Sequence, residues 1–86
     1  MKRRIGVVGI VIEDRARVNK KLNEILSKFG HLIIGRMGVP SRELGLSIIS
    51  LIVDGTPDEI GAMTGQIGSL SGVNLKSALT SRTVEK

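Results

Sequence analysis

The chain has 86 residues, enough for one small domain and too few for two hydrophobic cores. Apolar residues make up 41% of it, and 19 of these 35 are valine or isoleucine, which favours a globular fold with a β-sheet. The absence of cysteine excludes disulfides and thiolate metal sites, and one histidine with scattered acids argues against most enzyme classes. No apolar run approaches the roughly 20 residues of a membrane span. We therefore expect residues 1–86 to form a single cytoplasmic domain without a cofactor or metal.

The net charge of +5 is unevenly distributed along the chain. Residues 1–42 hold ten of the thirteen basic residues and only three acids, so the second half is net acidic. A basic region of this kind can attract nucleic acid. Nucleic-acid platforms also use stacking aromatic side chains or a recognition helix, and the only aromatic residue, Phe29, has the spacing of a core residue. We expect a solvated helix surface for the basic cluster of Arg15, Arg17, Lys20 and Lys21.

The first third of the chain predicts a strand and a helix. Between Arg4 and Glu13, the run Ile5–Ile12 is β-branched and apolar at both alternating positions, which is typical of a central strand. Asp14 can cap the helix that follows, and we expect this helix to end at Gly30. Its apolar stripe consists of Val18, Leu22, Ile25, Leu26 and Phe29.

The middle of the chain predicts a β-hairpin. Residues His31–Val39 are typical of a second strand, with Arg36 interrupting one face. We expect the turn at Pro40–Glu43, because proline and serine favour turns. Leu44–Val53 predicts a third strand that is largely apolar on both faces, so this strand, like the first, should lie inside the sheet.

The second half predicts a capped helix and an edge strand. Thr56–Glu59 has the pattern of a capping box, with proline at the first helical position. After a loop at Ser71 and Gly72, residues Val73–Leu79 alternate between apolar and polar, as an edge strand does. We expect the polar termini, Arg3-Arg4 and residues 83–86, to be disordered. The buried stripe of the second helix is Ile60, Met63, Ile67 and Leu70.

The element order βαββαβ predicts an α+β ferredoxin-like sandwich, or alpha-beta plait. In this fold, two helices cover one face of a four-stranded antiparallel sheet in the order 4-1-3-2. The other face would be open and apolar, because both central strands are apolar on both sides. We expect a second copy to cover it in a dimer or tetramer, or a different protein to do so. On the second helix, Gly61, Gly65 and Gly68 form a strip that suits close approach of a backbone or ligand, or packing on its own sheet.

The segment Ile12–Val18 resembles the corresponding turn of ACT domains, which are βαββαβ modules that bind amino acids and regulate enzymes. Asp14 and Arg15 match that family, whereas Ala16 and Arg17 stand where it usually has Pro-Gly. The resemblance implies a small-molecule site at this turn, and the cationic Arg17 favours an anionic ligand there. The expected ligand-binding residues are Asp14, Arg15, Arg17, Gly65, Gly68, Ser69 and Ser71.

Two further resemblances cover most of the chain. The whole chain resembles the tetramerising, metal-sensing C-terminal domain of nickel-responsive repressors, whose site uses histidine and cysteine. A site of that type cannot be built from one copy with His31 alone, so we expect His31 to be a helix-end residue. The segments Val53–Ile60, Ile67–Val73 and Lys76–Leu79 resemble a small family of iron-only hydrogenase system regulators, which implies a regulatory role.

Two hypotheses follow from these observations. The first is a small ACT-like regulatory module that self-associates, senses a small ligand between subunits and transmits that state to a partner. The second is a structural interaction protein that docks a partner through its apolar sheet face without a ligand. An enzyme is less well supported, because one histidine and scattered acids provide no Ser-His-Asp set and no carboxylate pair.

Overall fold

A computed structural model describes residues 2–85 as a βαββαβ fold. The strands form one antiparallel sheet in the order β2-β3-β1-β4, which confirms the ferredoxin-like prediction. No helix within these residues is long and apolar enough to cross a bilayer. The elements are β1 (Lys2–Ile12), α1 (Arg15–Lys28), a 3-10 turn (Gly30–Leu32), β2 (Ile33–Ser41), β3 (Leu46–Gly55), α2 (Pro57–Gly68) and β4 (Val73–Glu85).

The hydrophobic core lies between the two helices and one face of the central strands. Val8 of β1 pairs with Leu51 of β3, and Ile10 pairs with Ile49, and all four side chains are at most 1% exposed. Full burial of an aliphatic side chain stabilises a fold by about 1.5–3 kcal/mol, so this layer dominates the stability of the domain. The helices contribute the predicted stripes, of which the buried members include Val18, Leu22, Leu26, Ile60, Met63 and Ile67.

Both helices begin where the sequence predicts. Asp14 Oδ1 accepts a hydrogen bond from the backbone N–H of Arg17 at 3.3 Å. At α2, the Glu59 N–H donates to Thr56 Oγ1 at 3.2 Å, and Glu59 Oε1 accepts from the Thr56 N–H at 3.2 Å. These caps satisfy amide groups at the helix start that have no carbonyl partner inside the helix.

Leu32 explains why the second strand begins later than predicted. We expected a strand from His31, but Gly30–Leu32 forms a 3-10 turn and β2 starts at Ile33. Leu32 is buried, and its Cδ2 lies 2.7 Å from the position that a Cβ on Gly55 would occupy. The chain must therefore turn before β2 to place Leu32 beneath the end of β3, a requirement of tertiary packing that local periodicity does not show.

The hairpin turn lies two residues later than predicted. The chain stays in β2 through Ser41, and the Gly45 N–H closes the turn by donating to the Arg42 carbonyl at 3.3 Å. Gly45 has a φ of +66°, a conformation that favours glycine. Pro40 lies inside β2, which an edge strand tolerates, and Leu44 lies in the turn rather than in β3.

The chain ends pair with each other, so the prediction of disorder was wrong for the described residues. Lys2 pairs with Glu85 and Arg4 with Thr83, and β4 continues to Glu85 instead of ending at Leu79. The pairing passes through an irregularity between Arg4 and Gly6. Residue 86 lies outside the described residues. Polar chain ends lack the local pattern of a strand. They form strands here because β1 and β4, which are distant in sequence, pair with each other.

The sheet face opposite the helices, which we call the outer face, is open. Val7 and Ile52 pair across β1 and β3, yet they remain 49% and 45% exposed, and Met37 on β2 is 66% exposed. The strand registers place on this face Ile5, Val7, Gly9 and Val11 of β1, Gly35, Met37 and Val39 of β2, Ile48, Ser50 and Ile52 of β3, and Asn74, Lys76 and Ala78 of β4.

The outer face carries little net charge. At one end, Arg3 Nε lies 3.4 Å from Asp54 Oδ1, so these two charges offset each other. Lys76 and Arg82 alternate on the same side of β4 and are the remaining charged side chains of this face. Away from β4, a protein with a net charge of +5 thus presents an almost neutral apolar surface.

Candidate functional site

A cleft at one end of the helix layer brings together part of the expected ligand site. Arg17 and Lys21 lie one helical turn apart on α1, and Ser69 and Ser71 belong to the segment that follows α2. The cavity has a volume of about 390 Å³, within the usual range for small-molecule sites. We call it the α1–α2 cleft, and its lining residues are Arg17, Val18, Lys21, Ser69, Leu70 and Ser71.

The polar groups of the α1–α2 cleft suit an anion. Arg17 and Lys21 belong to neither of the two ion pairs recorded in residues 2–85. The Ser69 hydroxyl already donates to the carbonyl of Gln66 at 2.8 Å, so its proton is in use. The Ser71 hydroxyl has no such bond to the described chain. Two cations and one hydroxyl are therefore available to bind a phosphate or carboxylate group.

The structure separates Asp14 and Arg15 from this cleft. Asp14 is not among the cleft residues, and its carboxylate caps α1. The Arg15 Nε donates to Asn19 Oδ1 at 2.9 Å, and the side chain lines a different cavity at the sheet edge. The expected set of neighbouring ligand residues is thus divided, because Asp14 precedes the helix and because Arg15 and Arg17, two residues apart, point in directions about 200° apart around its axis.

Gly65 and Gly68 also lie outside the α1–α2 cleft. A Cβ added at Gly61, Gly65 or Gly68 would meet no atom within 4 Å, so the glycine strip faces open space. The alternative that this strip allows α2 to pack closely on its own sheet is therefore wrong. The sheet side of α2 consists instead of Ile60, Met63 and Ile67.

A second cavity lies at the edge strand β2, near the start of α1. Arg36, Gly38 and Pro40 pair with Leu51, Ile49 and Ser47 of β3, so they share the helix side of the sheet. The helices leave β2 uncovered, and a cavity of about 380 Å³ remains there. We call it the β2-edge cleft, and it is lined by Arg15, Arg36, Gly38, Val39, Pro40, Ser47, Ile48 and Ile49.

The outer face contains a depression between β1 and β4. It has a volume of about 420 Å³ and forms where Gly9 has no side chain. Its other lining residues include Val11, Asn74 and Lys76. An apolar side chain of a molecule that covers the outer face could insert into this depression.

The single histidine lies beside the α2 cap. His31 Nε2 is 3.5 Å from Glu59 Oε2. Hydrogen bonds from the backbone and hydroxyl of Thr56 lower the pKa of Glu59, and the contact with His31 lowers it further. No group of three or more histidines, cysteines or acids in the described ranges could hold a metal ion.

Sequence reasoning missed three residues that line these cavities. Lys21 appears in the sequence only as part of a basic cluster, although it follows Arg17 by four residues and so shares its helix side. Arg36 and Gly38 alternate along β2 and line the β2-edge cleft together. The sequence signal for Arg36 was a charged residue within an otherwise apolar strand. That Arg36 lines the same cavity as Arg15 depends on the tertiary fold and has no signal in the sequence.

Comparison with known proteins supports the resemblance found in the sequence. The family model described as "Iron-only hydrogenase system regulator, putative", or TM1266-like, matches residues 4–77. Protein TM1266 from Thermotoga maritima is similar in structure, with 38% identity, a TM-score of 0.85, and coverage of 90% of this chain and 96% of that one. No curated protein matches this chain.

Two more distant structures agree in fold alone. The ACT domain of GTP pyrophosphokinase from Chlorobium tepidum has 17% identity and a TM-score of 0.66, with coverage of 93% of this chain and 89% of that domain. A PII-like protein from Thermus thermophilus has 16% identity and a TM-score of 0.56, with coverage of 92% and 90%. The family match over residues 4–77, together with the 38% identity to TM1266, shows that the chain belongs to the TM1266-like family of iron-only hydrogenase system regulators.

Proposed function

We propose that this protein is a non-catalytic, cytoplasmic regulatory module of an iron-only hydrogenase system. It self-associates through its outer face and senses a small anion in the α1–α2 cleft. Membership of the TM1266-like family supports the regulatory role. The single observation that carries self-association is the open apolar surface formed by residues such as Val7, Met37 and Ile52.

A second copy is the occupant that fits the outer face best. Apolar surface of this kind marks an interaction site, because exposing it to water is unfavourable. The near absence of net charge over β1, β2 and β3 allows two copies to approach despite the net charge of +5 on each. Met37 projects from β2, and the depression at Gly9 lies on the same face. In a dimer with two-fold symmetry, Met37 of each copy can therefore insert into the Gly9 depression of the other.

The ligand assignment rests on Arg17, Lys21 and Ser71. A guanidinium and an ammonium group one helical turn apart can bind one phosphate or carboxylate together, and a hydroxyl adds a hydrogen bond. These residues are the part of the site that one chain contributes, and the expectation that the ligand lies between subunits stays a prediction.

Light scattering combined with size-exclusion chromatography tests self-association. We expect a dimer or tetramer for the unmodified protein, and an increase of at least about tenfold in the dissociation constant for Ile52→Lys, because the new charge would be buried. Leu44→Lys is the matched control, since Leu44 is 65% exposed in the β2–β3 turn and should not affect association.

A monomer at every concentration would overturn self-association. That result would favour the alternative in which the outer face docks a different protein and no small ligand is needed.

Thermal unfolding in sodium phosphate, compared with sodium chloride at equal ionic strength, tests the anion site. We expect a phosphate-dependent rise in Tm that Arg17→Ala largely removes and that Lys20→Ala retains, because Lys20 is an exposed cation of α1 that does not line the α1–α2 cleft. Ser71→Ala should weaken phosphate binding by a smaller factor than Arg17→Ala. An equal rise in chloride, or a rise insensitive to Arg17→Ala, would contradict the assignment.

A further inference from the structure

The β2-edge cleft combines two guanidinium groups with an apolar wall. Arg15 comes from the first turn of α1 and Arg36 from the edge strand, and neither takes part in the ion pairs seen within residues 2–85. Pro40 lines the same cavity, and its exposed ring provides apolar surface. Small-molecule sites commonly have this character, with a mostly apolar wall and a few polar groups that fix the orientation of the ligand.

Arg15 is held in place before any ligand binds. Its Nε donates to Asn19 Oδ1 at 2.9 Å, and the Asn23 amide donates to the same oxygen at 3.4 Å. The Arg15 bond uses the Nε edge of the guanidinium group and leaves the two terminal nitrogens to bind another group. A guanidinium group oriented in advance loses less conformational entropy when it binds a carboxylate.

Gly38 keeps the cavity open. It lies between Arg36 and Pro40 on the helix side of β2, and a Cβ added there would meet no atom within 4 Å. Its backbone does not have the positive φ that would make a larger residue unfavourable. The glycine is therefore dispensable for local backbone geometry, and a larger side chain at this position would project into free space at the cleft.

We propose that the β2-edge cleft binds a small carboxylate with an apolar body, with Arg15 and Arg36 bound to the carboxylate and Pro40 in contact with the apolar part. The arrangement favours a carboxylate because its two oxygens match the paired N–H groups of a guanidinium. This site is distinct from the α1–α2 cleft and does not depend on the anion assigned there.

Binding of hexanoate, followed by backbone amide chemical shifts and by calorimetry, tests this proposal. Hexanoate has both required parts, whereas hexan-1-ol lacks the charge and acetate lacks the apolar body. We expect saturable binding of hexanoate with a millimolar dissociation constant, as is usual for a ligand of this size, and shifts centred on Gly38 and Ser47. Hexan-1-ol and acetate should each bind at least about tenfold more weakly.

Two substitutions at the cleft identify the site, and three elsewhere serve as controls. Arg36→Ala should weaken hexanoate binding by about tenfold, because it removes one charge-assisted contact. Gly38→Leu should abolish binding by filling the cavity while both arginines remain, and Gly61→Leu is its matched control, since Gly61 lies in open space on α2. Arg17→Ala should leave hexanoate binding unchanged, and so should Ile52→Lys, so failure of the anion site or of self-association is distinguishable from failure of this one.

Equal binding of hexan-1-ol and hexanoate would overturn the assignment to a carboxylate. The absence of saturation by about 10 mM hexanoate, or binding that survives both Arg36→Ala and Gly38→Leu, would overturn the site itself.

Discussion

On the helix side of the sheet, Ile49, Leu51 and Val53 are at most 1% exposed, whereas Ile48 and Ile52 of the same strand remain 37% and 45% exposed on the outer face. Successive residues of a strand point to opposite faces, so one apolar run supplies two surfaces with very different surroundings. Both helices lie on one side, and they alone account for the difference. The composition of a strand shows that two faces are apolar, but the position of the helices decides which of them is core.

The largest difference in stability is expected between two neighbouring substitutions on opposite faces of the sheet. Leu51→Ala removes a fully buried side chain and should lower the free energy of unfolding by about 3 kcal/mol. Ile52→Ala, the neighbouring change on the outer face, should cost less than about 1 kcal/mol in the dissociated protein, because the side chain is already exposed to water.

Urea unfolding at low protein concentration measures both values. A similar loss for both variants under those conditions would mean that the outer face is buried within a single chain, contrary to the structure.

A medium effect should come from the start of α2, which covers the core face. Thr56→Ala removes a side-chain cap and should destabilise the protein by about 1 kcal/mol. Thr56→Ser is the control, since its hydroxyl can accept the same bond from the Glu59 N–H. Equal destabilisation by both variants in thermal unfolding would show that the cap does not hold α2 on the sheet.

A substitution on the solvent-exposed side of α2 should raise the stability of the protein instead of lowering it. Gly61→Ala adds a methyl group that meets no neighbour, so it should stabilise the protein by about 0.4–1 kcal/mol through a lower entropy of the unfolded chain. Gly55→Ala is the contrasting variant, because its Cβ would lie 2.7 Å from Leu32 Cδ2 and should destabilise. Destabilisation by Gly61→Ala would indicate that the glycine strip packs against something in the assembled protein.

The smallest expected effect is on the pH dependence of the unfolding free energy. The pKa of Glu59 is lower in the folded protein than its ordinary value of 4.5, because Thr56 donates hydrogen bonds to the carboxylate. Folding is therefore favoured by the ionised form above about pH 4.5, and this contribution is lost as the pH falls through the lowered pKa. Glu59→Gln should flatten the decline in unfolding free energy between about pH 6 and pH 3.

Thr56→Ala should flatten the same decline, because it removes the hydroxyl bond to the carboxylate. If both variants keep the decline of the unmodified protein in urea unfolding at each pH, the α2 cap does not contribute to acid sensitivity.

The candidate sites show where sequence reasoning reached and where it stopped. Arg17, Ser69 and Ser71 line one cleft, as the sequence analysis grouped them. Arg15 was placed in the same group because Asp14 and Arg15 match the turn of ACT domains, yet it lines a cavity with Arg36, which lies 21 residues further along the chain. Proximity in sequence cannot predict that pairing, because it depends on how α1 crosses the edge of the sheet.

The sequence by itself determined the order of the elements, the caps at Asp14 and Thr56, the stripes of both helices and the surplus of apolar strand surface. These features depend on local propensity and periodicity, which each segment carries alone. The tertiary structure alone decided the pairing of the chain ends, the turn that buries Leu32, and the division of the arginines between two clefts. Each of these depends on contacts between residues distant in sequence, whose stabilisation appears only when the whole sheet has formed.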